Sequence, residues 1–176
     1  MRWATSIAAA ALLAGCGNFS TEDLEFAEAM PTREALQVRM AAYEQILKGA
    51  SGLFAASERV SRDEWRNYHR SLQLGRNFPA ILALAFARDF TRAELPVLRR
   101  ELGPELRRYG LGGFNLRPPG ERPRYVANIY TEPFEGVHLK AIGFDMWQEP
   151  TRRETMQRAL ATRQPAITSK IVLNID

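Results

Sequence analysis

An apolar, alanine-rich run near the N-terminus is the feature that most constrains the fold, because it decides whether the first residues belong to the mature protein. The run covers residues 4–13, follows the positively charged start Met1-Arg2, and has about the length of a secretory signal-peptide core. A permanent membrane span needs about 20 apolar residues, so this run is short for one. We therefore predict that residues 1–15 are a signal peptide and that the mature protein is extracytoplasmic.

The only cysteine of the chain, Cys16, follows this run after Leu13-Ala14-Gly15. Small residues before a lone cysteine at the end of an apolar run resemble the lipobox of bacterial lipoproteins. The resemblance implies that Cys16 becomes the N-terminus and carries lipid, which anchors a periplasm-facing protein to a membrane of the bacterial cell envelope. Several acyl chains on one residue anchor stably, whereas a single chain binds only marginally. The alternative is a cysteine that merely closes a hydrophobic anchor.

The composition of the 176-residue chain is that of an ordinary globular protein, with 45% hydrophobic and 25% charged residues. Its net charge of +4 is small, and acidic residues are interleaved with the basic pairs. We therefore expect no nucleic-acid partner and assign the basic pairs to solvated helix faces. A single cysteine also excludes an internal disulfide framework and a cysteine-based zinc cage.

A polar tether over residues 16–31 leads into a predicted stalk helix over residues 32–60. Apolar or small residues recur along this helix at alternating steps of 4 and 3 residues, which is a heptad seam as well as a plain amphipathic face. Two alternatives stay open: the helix packs on its own domain, or two stalks pair in a homodimer. The seam positions are Leu36, Met40, Tyr43, Leu47, Ala50 and Phe54.

Helix and strand signals alternate over residues 61–176. The capping-box pairs Ser61–Glu64 and Thr91–Glu94 predict helix starts, as does Pro150. The continuous apolar run over residues 80–87 predicts a central strand buried on both faces. Together these elements predict an α+β fold in which helices flank a PAS-like antiparallel sheet. The predicted helices span 62–72, 91–109 and 150–162, and the predicted strands span 80–87, 114–116, 124–130, 140–145 and 166–173.

Catalytic motifs are missing from the sequence, so we expect a binding module and not an enzyme. His69 and His138 are far apart, and neither has a ligating partner one helical turn away. The glycines between Gly110 and Gly113 follow a helix and lack the Lys-Ser or Lys-Thr of a phosphate-binding loop, so they indicate tight turns. We accordingly expect no metal and no cofactor.

A set of short motifs occurs in a definite order from about residue 53 to residue 176. In this order the motifs resemble the CHASE domain, the extracytoplasmic sensor module of plant cytokinin receptors and of many bacterial receptor kinases and cyclases. The resemblance implies PAS-like subdomains behind the stalk, with a small ligand in the membrane-distal one. The motifs include Trp65 with Tyr68, Phe78-Pro79-Ala80, Tyr130-Thr131-Glu132-Pro133, Gly143-Phe144-Asp145 and Ala166-Ile167-Thr168-Ser169.

The resemblance also assigns ligand-binding residues. In cytokinin receptors an acidic side chain just after the strand that here ends at Tyr130 hydrogen-bonds an adenine-type ligand, and that role falls to Glu132. Tyr130 and Thr168 would line the same pocket, with Phe86 and Phe144 as apolar walls. Such a pocket needs mostly apolar lining with a few placed polar groups. The competing interpretations are a surface carboxylate for Glu132 and an ordinary strand residue for Thr168.

Asp145, by contrast, is expected to be a structural cap or turn residue.

Two functional hypotheses follow. The first is a lipid-anchored sensor that binds a small molecule, lacks an output domain of its own because the CHASE domain is truncated after Asp176, and signals through a partner kinase or cyclase. The alternative is the N-terminal fragment of a transmembrane CHASE sensor histidine kinase or diguanylate cyclase, with residues 4–13 part of a membrane anchor. Acylation of Cys16 distinguishes the two.

Overall fold

The computed structural model describes residues 9–12 and 33–171, and the α+β class is confirmed over them. Three described strands form one antiparallel sheet in the order β1–β2–β3, so the strand predicted to be central lies between two others. The strands are β1 (Ala9–Leu12), β2 (Leu84–Thr91) and β3 (Arg124–Glu132). The helices are α1 (Arg33–Ala56), α2 (Arg62–Leu72), the single turn α3 (Leu74–Asn77), α4 (Leu95–Arg108) and α5 (Pro150–Thr162), with 3-10 helices at Gly136–Ala141 and Met146–Gln148.

The pairing of β2 with β3 organises the two sides of the sheet. Phe86 lies opposite Tyr130, but Ala87 lies opposite Asn128, so Ile129 is the extra residue of a β-bulge in β3. We call the side that carries Phe86 and Tyr130 the α2 face; helices α1, α2 and α4 pack there. The opposite side, which we call the α5 face, carries Ala87 and Val126 under Met146 and α5. Both sides are therefore covered, and nearly every residue of β3 is buried.

Aromatic rings join the stalk helix to the α2 face. Phe54 of α1 stacks on Phe86 of β2 with ring centroids 3.6 Å apart and an interplanar angle of 11°. Trp65 of α2 packs beside both rings, 5.6 Å from Phe54 and 6.4 Å from Phe86. Buried aromatic pairs of this kind contribute beyond the area they bury, so these contacts fix α1 and α2 on the sheet.

The predicted stalk helix is confirmed over Arg33–Ala56. Four of its seam positions, from Tyr43 onward, turn toward the core of their own domain, and Ala50 is fully buried there. Leu36 and Met40, the first two seam positions, are exposed. Packing on its own domain therefore accounts for the C-terminal half of the helix, and pairing of two stalks stays a prediction that concerns Leu36 and Met40.

The helix starts predicted from Ser61 and Pro150 are confirmed. At the start of α2, the Glu64 backbone N–H donates to Ser61 Oγ at 3.2 Å, and the Ser61 N–H donates to Glu64 Oε2 at 2.7 Å. These two bonds form the expected capping box. Helix α5 has its predicted bounds, and Met156 points inward as predicted.

The first predicted strand was displaced by four residues. Ile81 N–H donates to the Phe78 carbonyl at 2.9 Å, so a turn around Pro79 occupies the start of the apolar run and β2 begins only at Leu84. Thr91 then ends the strand and does not begin a helix. Its N–H and hydroxyl both donate to Glu94 Oε2 at 2.8 Å, and α4 starts at Leu95.

Three further predicted strands were wrong. Residues 114–116 make no ladder, and only Arg117 bridges to Phe144. Residues 140–145 begin inside the 3-10 helix that ends at Ala141, and the chain then turns at Gly143. The φ of Gly143 is +79°, in the left-handed region, so no strand runs through this segment. Within 166–173, the described part up to Ile171 has no regular structure, because it has no strand partner and Ile167 faces solvent.

The structure describes only residues 9–12 of the predicted signal peptide and tether. Ala9–Leu12, inside the predicted signal peptide, pairs antiparallel with β2 in the register Ala9 to Ala87. Cys16 and the tether over residues 16–31 lie outside the described residues. No described helix combines the length and apolar character that crossing a membrane requires.

We expect Phe86→Ala to lower the free energy of unfolding by about 3–5 kcal/mol, because it removes a fully buried ring from the contact between α1 and β2. Urea denaturation measures the change. Leu82→Ala is the matched control, since Leu82 is 46% exposed and its loss should change stability by about 0.5 kcal/mol or less. Equal stability of the two variants would contradict the assigned core.

Candidate ligand-binding site

Helix α2 places two arginines against the end of β3. Arg62 and Arg66 are four residues apart and therefore lie on one side of the helix, with Trp65 beside them. Arg62 and Trp65 are almost completely buried, whereas the Arg66 side chain keeps 22% of its surface exposed. The side of α2 that faces the sheet thus carries charge as well as aromatic surface.

Glu132, the last residue of β3, lies under these arginines with only 4% of its surface exposed. Its Oε2 accepts a hydrogen bond from the Phe134 N–H at 3.1 Å. Its Oε1 lies 3.3 Å from Arg66 Nε, an ion-pair distance, but no described residue donates a hydrogen bond to this oxygen. The predicted ligand residue is therefore a buried carboxylate whose Oε1 is ion-paired with Arg66 but accepts no hydrogen bond, and not a surface carboxylate.

Arg62 is held by several groups at once. Its Nε pairs with Glu105 Oε1 at 2.7 Å, and its Nη2 donates to the Ile129 carbonyl at 3.1 Å. The guanidinium lies over the Phe134 ring at 4.3 Å and near the Tyr130 ring at 5.0 Å. Its Nη1 is buried without a hydrogen-bond partner among the described residues, as is Trp65 Nε1. Arg62 Nη1 and Trp65 Nε1 thus donate to no described group, and Glu132 Oε1 has only its ion pair with Arg66, which is unusual for buried polar atoms.

Burial sets the electrostatics of this cluster. Desolvation raises the pKa of Glu132, and the opposing influence of Arg66 and of the Phe134 N–H does not cancel it. The pKa of Arg66 is raised in turn by the Tyr109 side chain and by Glu132. A carboxylate that is protonated more readily than usual can exchange between accepting and donating a hydrogen bond.

The structure brings three of the five predicted ligand residues together. Phe86, Tyr130 and Glu132 all belong to the α2 face, and the Phe86 and Tyr130 rings lie 6.1 Å apart. The Tyr130 hydroxyl donates to the Val60 carbonyl at 2.9 Å, and burial raises its pKa. In this structure the phenol ties β3 to the segment before α2.

The other two predicted residues lie elsewhere. Phe144 packs on the α5 face, so the sheet separates it from Phe86. Thr168 is half-buried in the segment that follows α5. The five residues therefore do not form one pocket in this structure, and ligand contact by Phe144 and Thr168 stays a prediction.

Asp145 has the structural role expected for it. The carboxylate is completely buried, and its Oδ1 accepts from the Val126 N–H at 3.0 Å and from the Trp147 N–H at 3.1 Å. Its Oδ2 pairs with Arg122 Nε at 3.1 Å. With all these groups bound, Asp145 fixes the loop before α5 to β3.

Sequence analysis did not single out Arg62 and Arg66. Charged residues on a short helix normally indicate a solvated face, and the pattern of α2 gives no reason to bury one of them. The available signal was the pair of arginines one turn apart on the side that carries Trp65, opposite a strand that ends in glutamate.

Fold and site together define an α+β module with a buried carboxylate and arginine cluster. Among the described residues, no three His, Cys, Asp or Glu side chains converge as metal ligands. The CHASE domain family matches residues 58–175, about two thirds of the chain. The chain therefore belongs to the CHASE domain family, which indicates extracytoplasmic sensing in signal transduction. No curated protein matches the sequence.

The raised pKa of Glu132 predicts a pH dependence of stability. The folded protein binds this proton more tightly than the unfolded chain does, so its contribution falls as pH rises above the ordinary glutamate pKa of about 4.3. Glu132→Gln cannot titrate. We therefore expect the variant to gain stability relative to the wild type between about pH 4 and pH 7, measured by urea denaturation.

Glu135→Gln serves as the control, because it makes the same substitution at an exposed position in the same loop. A stability difference between Glu132→Gln and wild type that does not change with pH would contradict this assignment.

Proposed function

We propose that this protein is a lipid-anchored receptor module on the outer side of the cytoplasmic membrane or in the outer membrane. In this proposal it binds a small molecule, catalyses no reaction, and passes the signal to a separate kinase or cyclase. Membership of the CHASE family supports the sensing role. The observation that carries ligand binding is the buried Glu132 carboxylate, whose Oε1 accepts no hydrogen bond from the described residues.

The chemistry of the cluster favours a ligand with an N–H donor on a flat ring. Glu132 Oε1 would accept the hydrogen bond, and the Phe134 ring, now under Arg62, offers an apolar surface beside it. Arg66, whose Nε lies 3.3 Å from this oxygen, would have to give up that ion pair. An adenine-type compound has these features.

The finer architecture belongs to the same proposal. We infer a PAS-like arrangement in which the β2–β3 pair is the centre of the ligand-binding sheet. We also infer a homodimer through the N-terminal half of α1, because Leu36 and Met40 are the seam positions that remain exposed.

A thermal-shift screen of the purified protein against purines and cytokinin-like adenines tests the ligand proposal. A ligand at about 100 times its dissociation constant adds about 2.7 kcal/mol to the stability, which is a readily measured shift. We expect a compound that stabilises wild type and Glu135→Gln but not Glu132→Ala or Glu132→Gln. A shift that persists in both Glu132 variants would contradict the proposed role of this carboxylate.

The lipid anchor is tested by the mass of the N-terminal peptide of protein taken from bacterial membranes. We expect this peptide to begin at Cys16 with the added mass of diacylglycerol, and we expect Cys16→Ser to leave the precursor unprocessed. An unmodified cysteine with residues 1–15 still attached would favour the alternative, the N-terminal fragment of a transmembrane CHASE kinase or cyclase.

A further inference from the structure

The side of helix α4 that faces solvent is rich in arginine. The leucines at positions 98, 102 and 106 are buried in the core of the α2 face, so the positions opposite them on the helix point away from the protein. These outward positions recur every three or four residues, and all of them are exposed. They include Val97, Arg100, Pro104, Arg107 and Arg108.

The acidic residues of α4 do not neutralise these arginines, because they pair with other elements. Glu105 Oε1 lies 2.7 Å from Arg62 Nε, and Glu101 Oε2 lies 3.7 Å from Arg88 Nη1. By contrast, the guanidinium groups of α4 have no ion-pair or hydrogen-bond partner among the described residues, and all four side chains are exposed. Four positive charges of one helix are therefore left without a counter-charge. They belong to Arg99, Arg100, Arg107 and Arg108.

The other long helices expose charges of both signs. Helix α1 exposes Glu34 at its start, and α2 exposes Asp63, whose Oδ1 lies 3.4 Å from Arg66 Nη1. Helix α5 exposes Glu154 one turn before Arg158. Mixed charge of this kind is typical of a solvated helix face. The outward side of α4 differs, because its positive charge is concentrated.

A surface of this charge complements phosphate groups. The planar guanidinium fork binds a phosphate through two parallel hydrogen bonds, and basic residues beside an anionic membrane add to its attraction one by one. Val97, which is 40% exposed among these arginines, can rest against the apolar part of the headgroup layer. The surface therefore has the chemistry that anionic phospholipids require.

A membrane is also the anionic surface within reach of the domain. The family is extracytoplasmic, and the predicted tether over residues 16–31 would span up to about 50 Å when extended. An anchored domain meets the same membrane at a high effective concentration, so a weak second contact is sufficient.

We propose that the outward side of α4 docks on the headgroups of anionic phospholipids and holds the domain against the membrane. The choice of a membrane as the partner rests on the proposed anchor at Cys16, but the contact itself needs no lipid on that residue. It is also independent of the compound that Glu132 binds.

Cosedimentation of the purified Cys16→Ser protein with lipid vesicles tests this surface, because the protein then carries no lipid of its own. We expect vesicles of equal parts phosphatidylglycerol and phosphatidylcholine to bind it more tightly than phosphatidylcholine alone, and high salt to reduce the preference. Adding Arg100→Gln and Arg107→Gln should weaken binding to the anionic vesicles about 10-fold or more and leave binding to the neutral vesicles unchanged. Any binding through residues 1–15 is the same in every variant and cancels in this comparison.

The matched control is Arg158→Gln with Arg163→Gln, in the same Cys16→Ser background. It removes the same charge from exposed positions on the other side of the sheet, so it should keep the preference for anionic vesicles. If the first α4 pair melts at a lower temperature than its parent, Arg99→Gln with Arg108→Gln repeats the test.

The proposal is overturned if the α4 variants bind anionic vesicles like their parent, or if the control pair loses as much binding as the α4 pair. Binding that ignores the charge of the lipid would also overturn it, and would favour an acidic protein segment as the partner of this surface. None of these results bears on the anchor, which the mass of the N-terminal peptide tests separately.

Discussion

The face-to-face contact between Phe54 and Phe86 is the interaction on which the rest of the architecture depends. It joins the stalk helix to the central strand, and Trp65 packs against both rings to bring α2 onto the same face. Only with α2 in this position do Arg62 and Arg66 lie over the end of β3. The arginine and carboxylate cluster therefore depends on this apolar packing. A substitution at the aromatic contact should change the position of the arginines around Glu132.

The two faces of the β2–β3 pair are chemically different. The α2 face ends in a carboxylate that burial makes easier to protonate, with arginines already engaged around it. On the α5 face, the buried Arg152 of α5 lies over the Phe144 ring. The Glu132 carboxylate is therefore a buried group whose desolvation cost the described residues offset only in part. Such groups are typical of places where a protein binds another molecule.

The sequence predicted best where a local signal determines structure by itself. The Ser61–Glu64 capping box and Pro150 placed the starts of α2 and α5 correctly, since the hydrogen bonds of a cap involve neighbours in sequence. It failed where a turn interrupts a strand-like run, and where burial depends on partners distant in sequence. The turn at Pro79 shifted β2 along an unbroken apolar run, and Gly143 turned a strand-like segment aside. Glu132 was found through its family resemblance, but no pattern in the helices indicates that Arg62 and Arg152 become buried.

The central claim is that Glu132 is the acceptor of a small-molecule sensor, and ligand-observed NMR tests it most directly. Wild-type protein and Glu132→Gln are each added to the same mixture of small molecules from a bacterial periplasmic extract, and line broadening of each compound is compared. The account predicts at least one compound with an N–H donor that broadens with the wild type and stays sharp with the variant. Identical spectra for the two proteins would contradict it.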